Sequence, residues 1–134
     1  MQSNHVVVWL DHSDAHIIAF NRDTAEVPVI VHSAKHNVHQ HQRSDRTGPG
    51  KSVGNPDYFD AIIDKIRKVP AWLVVGPSDA KLDFSKHLTH RHADLVDHLI
   101  GLETVDHPSD GQLLAYAKKY FIATDNMAAD PVAA

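Results

Sequence analysis

Residues 6–20 read VVVWLDHSDAHIIAF. Two runs of β-branched and aromatic residues flank Asp11, His12, Ser13 and Asp14, residue types that close tight turns. The spacing predicts strands over residues 5–10 and 15–20, joined as a hairpin. Downstream, Asn21, Arg22 and Asp23 form the next turn, and residues 27–31 (VPVIV) a third strand. Pro28 stands near the start of that strand, where a missing N–H is best tolerated at a sheet edge. Short turns between the three strands imply an antiparallel meander.

Past residue 55 the hydrophobic period becomes helical. Asn55 and Pro56 have the character of an N-cap and a first helical residue. Phe59, Ile62, Ile63 and Ile66 follow at i, i+3, i+4 and i+7, one apolar stripe. Pro70 ends this helix, and residues 72–75 make a short buried strand stopped by Gly76-Pro77. Ser78 is the expected cap of a second helix carrying Phe84 and Leu88, with a break near residues 92–94. Residues 99–105 supply another strand. Ser109 and Asp110 open a last helix whose Leu113, Leu114, Ala117 and Phe121 share a face.

This order predicts an α/β (α+β) fold of ribonuclease H-like layout: a three-strand antiparallel meander, then α-β-α-β-α, in one mixed sheet. Strands reached through helices are expected to run parallel to a neighbour. The domain spans residues 1–122, and residues 123–134 (ATDNMAADPVAA) form a flexible tail without a packing pattern. Oligomeric state is open, with the first or third strand the candidate for pairing across a dimer.

Composition narrows the function classes. A chain of 134 residues is long enough to bury a core, and 43% hydrophobic with 22% charged residues is ordinary for a soluble domain. No apolar run approaches the roughly 20 residues that span a bilayer, and the first ten residues lack the pattern of a signal peptide. There is no cysteine, which excludes disulfides and thiolate metal sites and permits a reducing compartment. A cytoplasmic protein without membrane contact is expected. The formal charge is −4, yet the chain carries twelve histidines. Their ordinary pKa near ~6.5 makes modest acidification enough to turn the chain cationic.

Between the third strand and the first helix lies a basic His-rich loop, residues 32–55, whose first twenty residues are HSAKHNVHQHQRSDRTGPGK. Lys35, Arg43, Arg46 and Lys51 stand there with His32, His36, His39 and His41, opposed only by Asp45. Long loops of this kind in small domains are usually functional or disordered, and cations beside imidazoles suit phosphate, RNA or a metal ion. Gly48 and Gly50 allow close backbone approach at a loop tip.

Three segments carry a family resemblance. VVVWLDHSDAHIIAF (residues 6–20) resembles the opening strand–Asp–turn–strand unit in the middle domain of archaeal and eukaryotic class 1 release factors and of the rescue factor Pelota. LVVGPSDAKLDF (residues 73–84) resembles their strand and Gly-x-x-Asp-x-Lys helix start, and ETVDHPSDGQLLAYAKKYF (residues 103–121) their final strand and helix. The chain also looks like a group of short bacterial proteins labelled as translational machinery proteins. The resemblance implies a ribonuclease H-like domain and a ribosome or tRNA partner. In release factors the corresponding loop holds the Gly-Gly-Gln motif that promotes peptidyl-tRNA hydrolysis. Here it holds Gly48-Pro49-Gly50-Lys51, and neither Gln40 nor Gln42 follows a glycine pair. Nor do 134 residues leave room for codon-reading and GTPase-docking domains. The expectation is a translation-associated factor that needs no cofactor and contacts ribosomal RNA or tRNA without releasing peptide. Its candidate contacts are Lys35, His36, His39, His41, Arg43, Arg46, Gly48, Gly50 and Lys51.

Two alternatives involve a divalent metal. The first is a histidine site of His36, His39 and His41, with His32 as a fourth ligand, since imidazole suits zinc, copper or nickel. A second histidine group, His87, His90 and His92, lies near a helix; His87 and His90 share a face at i, i+3, and His92 joins them only if the helix breaks. The other alternative is a ribonuclease H-type nuclease using Asp11, Asp60 or Asp64, Asp79 and Asp110. Asp79 and Asp110 fall where helix starts favour acidic residues in any case. Gly50-Lys51-Ser52 ends like a phosphate-binding loop, but Asp45 occupies the position of the first required glycine. Asp106-His107-Pro108-Ser109-Asp110 reads as a turn and helix cap rather than a catalytic triad.

Overall fold

The computed structural model describes residues 3–33 and 55–133. Its centre is one five-stranded mixed sheet. The strands are β1 (His5–Leu10), β2 (Asp14–Phe20), β3 (Val29–His32), β4 (Ala71–Gly76) and β5 (Leu99–Thr104), in the order β3-β2-β1-β4-β5. The first three pair antiparallel, with Val8 opposite Ile17 and Ala15 opposite Val31. β4 runs parallel to β1, Val7 beside Leu73, and β5 parallel to β4. The meander and both parallel crossovers are as the sequence predicts.

Helices cover both faces. On one side lie α1 (Pro56–Ile66) and α2 (Ala80–Arg91), followed by a 3-10 turn (Ala93–His98). On the other lies α3 (Asp110–Ala133). Because side chains alternate along a strand, β1 and β4 feed two separate cores. Val6, Val8, Leu10, Trp72 and Val74 pack with Phe59, Ile62, Ile63 and Ile66 of α1 and with Phe84 and Leu88 of α2. Val7, Trp9, Leu73 and Val75 pack with Ile18, Phe20 and the Leu113, Ala117 and Phe121 stripe of α3. Burial on both faces is why VVVWL and WLVV are continuous apolar runs rather than alternating ones.

Helix starts follow local chemistry. The Asn55 side chain accepts N–H bonds from Asp57 (3.1 Å) and Tyr58 (3.3 Å), with Pro56 opening α1. Ser109 Oγ accepts from Gln112 N (3.1 Å) while Gln112 Oε1 accepts from Ser109 N (2.9 Å), a reciprocal cap on α3. At α2 the cap position is Asp79 rather than Ser78, and it is the Asp79 carbonyl that takes the Leu82 and Asp83 N–H groups.

Other boundaries also differ from expectation. β3 begins at Val29, not at residue 27, because Pro28 offers no N–H to the ladder; Val27 is exposed. The first strand is central, between β2 and β4, so of the two candidates for pairing only the third lies at an edge, the other edge being β5. Helical backbone continues through Ala133, beyond the expected boundary at residue 122. Among the described side chains the buried apolar stripe ends at Phe121. No helix among the described residues is long and apolar enough to cross a membrane.

Candidate functional site

The sheet separates two polar clusters, one under each helical layer. On the α1–α2 side, Asp60 projects from the exposed flank of α1, one position beyond the Phe59 that packs inward. α2 presents His87 to it, and the helix ends at Arg91 so that His92, in a non-helical conformation (φ −139°, ψ 50°), turns back toward the same carboxylate. His87 Nε2 lies 2.7 Å and His92 Nε2 2.9 Å from Asp60 Oδ1. Their rings stand 5.6 Å apart, and the His87 ring packs 5.5 Å from Phe59. The pair is therefore His87 with His92, not His87 with His90. The helix break decides it, since i and i+5 do not share a face on an unbroken helix.

These bonds set the titration of Asp60. The hydrogen bond from His87, then that from His92, holds the carboxyl below its ordinary value of 3.8. A carboxyl that titrates lower in the folded than in the unfolded chain stabilises the fold above the unfolded value. That contribution is lost as pH falls through the lower folded value. Asp60→Asn is expected to flatten the acid limb of the stability curve, measured as urea midpoints from about pH 2 to pH 6. Parallel curves for the two proteins would show that the carboxylate is not so held.

On the opposite side, the loop from β5 to α3 packs against β1. The Trp9 indole N–H donates to the Asp106 carbonyl (2.7 Å), and the His107 ring lies 5.0 Å from the indole. His16, opposite Trp9 in the hairpin register, bonds Asp110 through Nδ1 (3.0 Å). Beside them Val105, His107, Pro108, Gln112, Leu113 and Tyr116 line an open cavity of about 570 Å³. Burial, then the charge of Glu103 and the neighbouring Tyr120, raises the Tyr116 hydroxyl pKa.

The hairpin turn is a third polar locus. Asp11 Oδ1 accepts the Ser13 and Asp14 N–H groups (2.8 and 2.9 Å), while the Asp11 carbonyl accepts the Tyr58 hydroxyl (3.0 Å). Burial, then the Asp11 and Asp14 carboxylates, pushes that phenol far above its ordinary range, so it remains a donor. His32 Nδ1 bonds Asp14 Oδ1 (2.6 Å) at the end of β3.

The nuclease set does not assemble among the described residues. Asp11 is committed to its turn, Asp60 to two imidazoles and Asp110 to His16 beneath the opposite layer, while Asp79 stands apart at the start of α2, where its carbonyl rather than its carboxylate takes the helix N–H groups. Asp64 instead meets Arg67 along α1 at 3.2 Å. The sheet itself keeps Asp60 and Asp110 on different faces. Around residues 106–110 the expected turn and cap are present, with Ser109 bonded to Gln112 and His107 to Asp106 (3.1 Å). The candidate contacts Lys35, His36, His39, His41, Arg43, Arg46, Gly48, Gly50 and Lys51 lie outside the described residues. The Gly50-Lys51-Ser52 segment does as well.

No family model matches the sequence, and no curated protein matches it. Solved structures do. The Pelota protein of Thermoplasma acidophilum superposes with a TM-score of 0.57 at 17% identity, covering 82% of this chain and 30% of its own. Archaeoglobus fulgidus Pelota gives a TM-score of 0.60 at 13% identity, covering 89% and 32%. The archaeal translation termination factor aRF1 gives 0.48 at 12% identity, covering 98% and 43%. The chain thus spans under a third of the length of either Pelota. What it shares with them is the fold of one domain, an α/β layering around a mixed sheet.

Proposed function

We propose that this protein is a translation-associated factor that contacts ribosomal RNA or tRNA through its basic His-rich segment, without peptide-release activity. The observation that carries this reading is the Pelota-like fold with the basic residues 33–54 joining β3, which takes in His32, to the Asn55 cap of α1. In the release factors that residues 6–121 resemble, the same connection carries the Gly-Gly-Gln motif. Four Lys and Arg side chains and several imidazoles replace that motif here. Cations of this density bind phosphate by releasing counterions, a chemistry that needs no catalytic group.

Untagged protein is expected to co-sediment with ribosomes at low salt and to dissociate at high salt. Changing Arg43, Arg46 and Lys51 together to alanine removes three phosphate contacts. The slope of log affinity against log salt then falls by roughly 2–3, at about 0.7–0.9 per contact. Association that ignores salt, or a triple variant that binds as the parent does, would overturn the reading.

A further inference from the structure

Three side chains from different backbone elements meet at one point on the α1–α2 face. Asp60 comes from α1, His87 from α2 and His92 from the break that ends α2. Their ligand atoms all lie within 4.8 Å of one another, the one group of this kind among the described residues. Both Nε2 atoms approach a single carboxylate oxygen, at 2.7 and 2.9 Å, so the two imidazoles converge on Asp60. The His87 side chain is 8% exposed, His92 21% and Asp60 44%. The cluster is walled by protein on the His87 side and open to solvent at Asp60.

We propose that Asp60, His87 and His92 form a binding site for a divalent transition-metal ion of the zinc class. Two imidazole nitrogens and one carboxylate oxygen hold the ion, and its remaining position faces solvent.

The donor set selects the ion. Imidazole with a carboxylate suits zinc, nickel or copper, whereas magnesium and calcium favour oxygen ligands alone. At zinc distances of about 2.0–2.2 Å in tetrahedral geometry, neighbouring ligand atoms stand ~3.3 Å apart. The two nitrogen–oxygen separations are about half an ångström shorter, and the partly exposed Asp60 side chain can supply that movement by torsion. Each neutral imidazole then binds through Nε2 and carries its proton on Nδ1. His87 is further held by the Phe59 ring, so little side-chain freedom is lost when the ion binds. A site with three protein ligands and one open position resembles zinc centres that keep a place for water or substrate. The bland alternative is a hydrogen-bonded tie between α1 and α2 that binds no ion, and the two make different predictions.

The test uses the untagged 134-residue chain in which His36, His39 and His41 are changed to alanine, which removes the other imidazole cluster. Cobalt(II) is titrated as the probe, read by its visible d–d absorption, then displaced by zinc. The expected result is one ion per chain with tetrahedral-type absorption. Binding weakens about tenfold or more in both Asp60→Asn and His92→Gln. Circular dichroism confirms folding of each variant; His92→Gln, at a partly exposed helix end, decides alone if Asp60→Asn does not fold. Absence of stoichiometric binding, or cobalt binding undiminished by His92→Gln, would overturn the site.

Discussion

Trp72→Ala is expected to cost about 3–5 kcal/mol, a large share of the roughly 5–15 kcal/mol that holds a domain of this size. Trp72 is fully buried in β4, where it sits between β1 and β5 and packs on the α1–α2 core. Its indole N–H is shared by two carbonyls at the end of α1, Ile66 O (3.1 Å) and Val69 O (2.7 Å). The His98 ring meets the indole edge-on at 5.3 Å. Removing this side chain leaves a cavity at the junction of sheet, helix and 3-10 turn, which those rigid elements cannot close. Urea unfolding measures the loss. Trp72→Phe separates the causes, because it keeps most of the apolar bulk and removes the N–H, at about 0.5–1.5 kcal/mol. A Trp72→Ala cost below that of Trp72→Phe would show that packing is not the source.

Gly76→Ala is the second large effect, and it comes from contact rather than from backbone conformation. A Cβ at position 76 would lie 2.2 Å from the carbonyl oxygen of Leu10 and 3.4 Å from its carbonyl carbon. Both are backbone atoms of the neighbouring parallel strand, so no side-chain rotation relieves the clash. The strand ends must separate, at about 1–3 kcal/mol or more. The strain falls on the residue that leads into the Asp11 turn, whose carbonyl receives the Tyr58 hydroxyl. Gly111→Ala is the matching control. Its added Cβ meets nothing within 4 Å, and its place in the first turn of α3 predicts a gain of about 0.4–1 kcal/mol. Thermal melting of the two variants should move in opposite directions. Equal destabilisation would show that loss of glycine, not proximity to Leu10, matters.

Local periodicity and capping were enough to read most of the fold. The apolar stripe of α1 recurs every three to four residues, and Phe59, Ile62, Ile63 and Ile66 are all buried. Short turns forced β1, β2 and β3 to be antiparallel neighbours, and intervening helices forced β4 and β5 to be parallel. Where the reading slipped, local chemistry competed with pattern. Pro28 shortened β3, and the backbone of α3 runs helical past the end of its apolar stripe. The Pelota-like fold likewise matches a resemblance legible in residues 6–121, although identity is only 13–17%.

The candidate site was legible only in parts. His87, His90 and His92 were visible as a group, and Asp60 as an acidic residue on α1, but nothing in their spacing joined them. They lie 27 and 32 residues apart along the chain. Only the packing of α2 against α1 brings His87 to Asp60, and only the break after Arg91 swings His92 to the same oxygen. The same holds for Trp9 and Asp106, separated by 97 residues, and for His16 and Asp110, separated by 94. By itself the sequence determined which segments are strands and helices, because burial periodicity and caps act within a few residues. The tertiary structure alone decided which polar groups share a face, because chain-distant contacts depend on strand order and helix placement. That is why the aspartates at 60 and 110, equivalent as residues in the sequence, end on opposite sides of one sheet with different imidazole partners.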